Sequence, residues 1–130
     1  MSVERGGYEQ PKGRLNGDAV TVDAVDRVLH ALEASDDTVA AETPLPLGAG
    51  FGVSGAMALG TAYAVNAAYD RRRSENDLVA AAHRADVEAG TGLGDVVAQA
   101  RGGLPIRLAP GDPAHGRVDG IPTASRVEYV

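Results

Sequence analysis

Glycines at alternate positions, Gly48, Gly50 and Gly52, precede Ser54 and Gly55 within PLPLGAGFGVSGAMALGTAYAVNAA, which runs from Pro44 to Ala68. Glycine tolerates positive φ and lets a ligand come close to the backbone. A helix that starts directly after such a loop offers unpaired N–H groups and a partial positive charge. Gly48 to Gly55 therefore reads as a cradle for phosphates. The Ser54 hydroxyl stands where it can face a metal ion or a phosphate oxygen.

Two familiar phosphate loops fit poorly. A Walker A loop ends in Gly-Lys-Ser/Thr, and no lysine stands here. Gly50, Gly52 and Gly55 satisfy G-x-G-x-x-G, with Asp70 near the place of a ribose-binding acid, which would make a dinucleotide-dependent oxidoreductase. That reading needs a strand running straight into the first glycine, and Pro44 and Pro46 interrupt one.

A second group of residues lies at His83-Arg-Ala-Asp86 and continues through Gly90, Gly92 and Gly94 to Asp95. His83 and Asp86 are three apart and share a helix face. On its own, Asp95 reads as an N-cap for the apolar segment Val96 to Ala100. Beside the glycine loop it reads differently. Phosphoryl transfer needs N–H donors around the phosphates, oxygens that hold a metal ion, and a group that orients the acceptor hydroxyl. Ser54 and Asp86 supply hard oxygens of the kind Mg²⁺ prefers, and Asp95 can accept or orient the hydroxyl proton.

Pro46-Leu-Gly-Ala-Gly-Phe-Gly-Val-Ser-Gly-Ala56 resembles the P-x-G-x-G-L-G-S-S-A loop of the GHMP kinases, departing from it at Val53 and Gly55. With AHRADVEAGTGLGDVVAQARGG and PIRLAPG, the likeness narrows to the archaeal pantoate kinases of coenzyme A biosynthesis and covers Thr38 to Val130. It implies an ATP- and Mg²⁺-dependent transfer to the primary hydroxyl of pantoate. Pro46, Gly48, Ala49, Gly50, Phe51, Gly52, Val53, Ser54, Gly55 and Ala56 would bind nucleotide. Ser54 and Asp86 would be linked to the metal, and Asp95 would be catalytic. His83 and Arg107 would hold the acceptor, the planar guanidinium suiting a carboxylate. The likeness departs at Asp86, where this group normally has Glu. The implied fold is α+β, like the GHMP kinase N-terminal domain, with helices on one face of a mixed sheet. Kinases of this family are longer, so the expectation is an incomplete domain over residues 18–130. A complementing chain or a second copy would then supply what is missing. The rival reading is a non-catalytic remnant that binds nucleotide or a partner.

Composition sets bounds. The chain has 130 residues, 12 basic and 18 acidic, a net charge of −6, and no cysteine. Nucleic-acid binding is not expected from this balance. Disulfides and thiolate metal sites are excluded. Lys12 is the one lysine, and an acidic, lysine-poor chain points to a salt-rich cytoplasm. Ala56 to Ala68 is too short to span a bilayer, and the N-terminus has no apolar leader core.

The remaining pattern gives the supports. Met1 to Gly17 reads as irregular, Ala19 to Val22 as a short strand, and Asp23 to Ala34 as a helix capped by Asp23 with Val25, Val28, Leu29 and Leu32 on one face. His30 is read as a surface or packing residue. Thr38 to Thr43 reads as a strand, and Ser54 to Tyr69 as a helix on which Ala56, Gly60 and Ala64 would let another backbone approach. A second helix, Glu75 to Ala89, is capped by Ser74. Leu104 to Leu108 and Arg126 to Val130 read as strands, and Ala114 to Pro122 as a loop containing a solvated His115.

Overall fold

The computed structural model describes residues 1–4, 11–92, 94–102, 104–109, 111, 113–114 and 116–121; of the strands after residue 103 it describes the backbone. Three-residue strands β1 (Ser2–Glu4), β2 (Gly13–Leu15) and β3 (Asp18–Val20) precede helix α1 (Asp23–Ala31). Strand β4 (Thr38–Ala41) is followed by α2 (Val53–Ala68), α3 (Glu75–Glu88) and α4 (Asp95–Arg101), then by β5 (Leu104–Ala109) and β6 (Arg117–Ile121). The four early strands form one mixed sheet in the order β1-β4-β2-β3, with β2 and β4 parallel and the other pairs antiparallel. Strands β5 and β6 make a separate antiparallel pair.

Met1 to Gly17 is therefore not irregular throughout. Asn16 and Gly17, at φ 52° and 86°, form a two-residue hairpin turn between β2 and β3. This is the turn that Asn-Gly favours, because both central residues need positive φ. The segment expected as loop after Ala114 likewise contains β6, paired with β5. His115 and the strand expected over Arg126 to Val130 lie outside the described residues.

Helix α1 buries Ala24, Val25, Val28 and Leu29, and Leu32 just past its end is buried too. Its N-cap is Val22; Asp23 is the first helical residue and accepts from Arg27 Nε at 2.9 Å instead of capping. His30 is exposed, as expected. Ser74 caps α3, its Oγ accepting from the Asp77 N–H at 3.2 Å. Helix α2 packs against α1, α3, α4 and β1, so it is apolar on nearly every side. What lies on Gly60 is the Met1 side chain, whose sulfur would sit 2.7 Å from an added Cβ, and not another helix backbone.

One hydrophobic core joins Leu15 and Val39 of the sheet to Val25, Leu29, Met57, Val65, Leu78 and Val96 of the helices. At the far end of α2 the Tyr69 hydroxyl donates to buried Asp37 at 2.6 Å, and Arg71 donates to the Leu32 and Glu33 carbonyls that close α1. Among the described residues no helix is long and apolar enough to cross a membrane.

Candidate functional site

The glycine loop joins β4 to α2. Gly48, Gly50 and Gly52 all have positive φ, at 77°, 82° and 69°, so the alternation in the sequence corresponds to three left-handed residues that side chains would strain. Side-chain amides hold the loop at both ends. At the entrance Asn16 Nδ2 donates to the Thr43 carbonyl and the Thr43 N–H donates to Asn16 Oδ1, each at 2.9 Å. At the exit Gln99 Nε2 donates to the Gly52 carbonyl at 2.9 Å. Gly52 is the N-cap residue of α2, and no side chain caps that helix start. The first-turn donors therefore remain available to an anion at the mouth of the loop.

Asp86 stands beside this helix start, on the last turn of α3, and is 1% exposed. Its Oδ1 accepts from Thr91 Oγ1 at 2.6 Å and from Ser54 Oγ at 3.4 Å. The Thr91 N–H and hydroxyl also reach the Asp86 carbonyl, at 3.1 and 3.3 Å, which folds the glycine turn back over the helix end. Oδ2 accepts no hydrogen bond among the described residues. It faces Gly55 and Gly92: a Cβ on Gly55 would lie 3.3 Å from it, and one on Gly92 would overlap it.

Asp95 opens α4. Its N-cap is Gly94, so Asp95 is not the cap that its position suggested. Its carboxylate is exposed and leans over the same glycines, with Oδ2 3.3 Å from the Cβ position of Gly92 and 3.5 Å from that of Gly52. The two carboxylates thus crowd one small space whose walls are glycine.

A magnesium ion takes hard oxygens in octahedral geometry and keeps several waters. Asp86 Oδ2 and the Ser54 hydroxyl are such oxygens, and a buried carboxylate oxygen without a donor is what a cation would satisfy. The residues fit the ion. Among the described residues no three His, Cys, Asp or Glu side chains group as a metal cage.

His83 is buried on α3 one turn before Asp86. Arg107 lies on β5, in the separate strand pair, and its side chain is outside the described residues. The dinucleotide alternative does not survive the geometry. Strand β4 stops at Ala41, well short of Gly50. Asp70 follows the far end of α2, exposed and paired with Arg72 at 3.4 Å. A 16-residue helix, roughly 24 Å long, separates it from the glycines. Three further polar residues hold these elements in place: Asn16, Thr91 and Gln99. Asn16 was legible from the Asn-Gly pair. Thr91 and Gln99 act through contacts that spacing alone does not reveal.

Residues 19–103 match the family model described as the GHMP kinases N terminal domain. The chain is 45% identical over 67 residues to a pantoate kinase of Methanospirillum hungatei, which covers 52% of the chain and 23% of that protein. It is 35% identical over 102 residues to a pantoate kinase of Methanocaldococcus jannaschii, covering 75% of the chain and 37% of that protein. A solved structure titled "Phosphotransferase related to CoA biosynthesis pathway" superposes with a TM-score of 0.75 at 31% identity, over 95% of this chain and 44% of that one. The chain thus spans less than half the length of the relatives it matches. The family match takes in the four helices and the glycine loop and covers more than half of the chain, and the chain belongs to the GHMP kinases.

Proposed function

We propose that the chain forms the ATP-binding part of a small-molecule kinase, and that the acceptor is pantoate, giving 4-phosphopantoate. The observation that carries this is the convergence of Asp86 and Asp95 on Gly55 and Gly92, beside a loop of three left-handed glycines that opens a helix. The loop N–H groups bind the β- and γ-phosphates. Ser54 and Asp86 would hold Mg²⁺, which when bound would neutralise charge on the phosphates. Asp95 orients the acceptor hydroxyl and accepts its proton as the oxygen attacks the γ-phosphorus, the bond from that phosphorus to the β-phosphate oxygen breaks and ADP leaves. His83 and Arg107 hold the acceptor, and the pantoate kinase relatives support pantoate as that acceptor. Catalysis comes from positioning and electrostatics.

Calorimetric titration of the full chain with Mg·ATP, followed by a phosphate-transfer assay with pantoate, tests the reading. Binding with transfer supports it in full. Binding without transfer confines the chain to nucleotide recognition, with the remainder of a longer kinase or a complementing chain supplying turnover. A folded chain that does not bind Mg·ATP overturns it.

A further inference from the structure

We propose that Gln99 is a positioning residue for nucleotide binding, clamping the helix that carries Asp95 to the exit of the phosphate loop; this rests on the kinase reading above. Gln99 Nε2 donates to the Gly52 carbonyl at 2.9 Å, across 47 positions of sequence. The same carbonyl accepts the Ala56 N–H at 3.0 Å, the first hydrogen bond of α2. Two donors on one carbonyl use both of its lone pairs. The Gly52 carbonyl and the Val53 N–H belong to a single planar peptide unit, so holding the oxygen also fixes the direction of that N–H. Gly52 has φ 69°, and its flexible backbone needs such a hold.

Gln99 and Asp95 are four residues apart, so they share one face of α4. Both reach the same loop residue: a Cβ on Gly52 would lie 2.9 Å from Gln99 Nε2 and 3.5 Å from Asp95 Oδ2. The amide therefore sets the spacing between the Asp95 carboxylate and the phosphate-binding N–H groups. Gln99 is exposed, so it is not there to fill the core, and its replacement leaves the packing of α4 intact.

The test compares the full chain with Gln99→Met, which keeps the shape and loses the donor, and with Gln99→Asn, which keeps the amide one methylene short. Mg·ATP affinity is measured by calorimetry, and the backbone amide resonances of Val53, Ser54 and Gly55 by NMR, with and without Mg·ATP. The expected result is binding weakened about 2- to 10-fold in Gln99→Met, an intermediate loss in Gln99→Asn, and shifted Val53 to Gly55 resonances in both. The ligand-free thermal midpoint stays unchanged. Binding by the unsubstituted chain with equal affinity in Gln99→Met overturns the clamp and leaves the kinase reading standing. No binding by the unsubstituted chain overturns both.

Discussion

Thr91 Oγ1 donates to Asp86 Oδ1 at 2.6 Å, which fixes the rotation of a carboxylate that is almost wholly buried. With Oδ1 so engaged, Oδ2 is the oxygen left to face the glycine-walled space. Thr91→Val keeps the shape and removes the donor. Leaving a buried acceptor short of a partner costs about 1–3 kcal/mol. Urea unfolding should show a loss in that range, and calorimetry should show weaker Mg·ATP binding. Unchanged values in both would remove Thr91 from the site.

Gly92→Ala should act on the same oxygen by crowding. The added methyl group would overlap Asp86 Oδ2 and come within 3.3 Å of Asp95 Oδ2. Overpacking of this kind costs about 1–3 kcal/mol. Mg·ATP binding should fall well beyond what the stability loss explains, because both carboxylates must move. Binding at the unsubstituted affinity would mean that the space between them is not where the ion sits.

Asp95→Asn should abolish phosphate transfer while leaving Mg·ATP affinity within a few-fold. The amide is isosteric but cannot take up a proton. Transfer is measured with pantoate in whichever form of the protein turns over. Turnover at the unsubstituted rate would end the catalytic assignment of Asp95.

Asp26 provides a pH test away from the site. Burial pushes its carboxyl up, neighbouring Asp23 adds to this, and Lys12 opposes it. A folded-state value above the unfolded one means that the protonated form favours folding. That contribution is present below the ordinary carboxylate range and is lost as pH rises through the raised value. Asp26→Asn should therefore stabilise the chain at neutral pH, and its advantage should shrink as the buffer is acidified. An advantage that does not change with pH would show that charge on Asp26 is not the cause.

How much of this could be read in advance depends on how local each signal is. Helices α2 and α3 begin and end within a residue or so of their sequence limits. Ser74 and the alternating glycines are local punctuation whose mechanism needs no tertiary contact. Asp23 and Asp95 have the residue type of caps but sit one position inside their helices, behind Val22 and Gly94. Residue type cannot resolve a shift of one position. Strands β1 and β2 are three residues each, too short to display a period of two, and both pair with β4, which lies beyond α1 in the sequence, β2 pairing also with its hairpin partner β3. The site divides in the same way. The structure brings Ser54, Asp86 and Asp95 together, and their residue types and the glycine spacing single them out in the sequence. Thr91 and Gln99 are ordinary polar residues whose importance lies in which atom they reach.

Asn16 ties the condition of one exposed turn to the entrance of the glycine loop. It is followed by Gly17, sits at positive φ, and uses both atoms of its amide on the Thr43 backbone. Asparagine is a thermolabile residue, and water can replace its amide nitrogen, releasing ammonia. The product is a carboxylate that still accepts from the Thr43 N–H but now faces the Thr43 carbonyl with no donor. Chemical ageing at position 16 would thus be felt some thirty residues along the chain, as a loosened loop. Asn16→Asp imitates the aged protein. It should speed amide hydrogen exchange at Thr43 and Leu45 and leave α3 protected, and equal exchange at both would uncouple the turn from the loop.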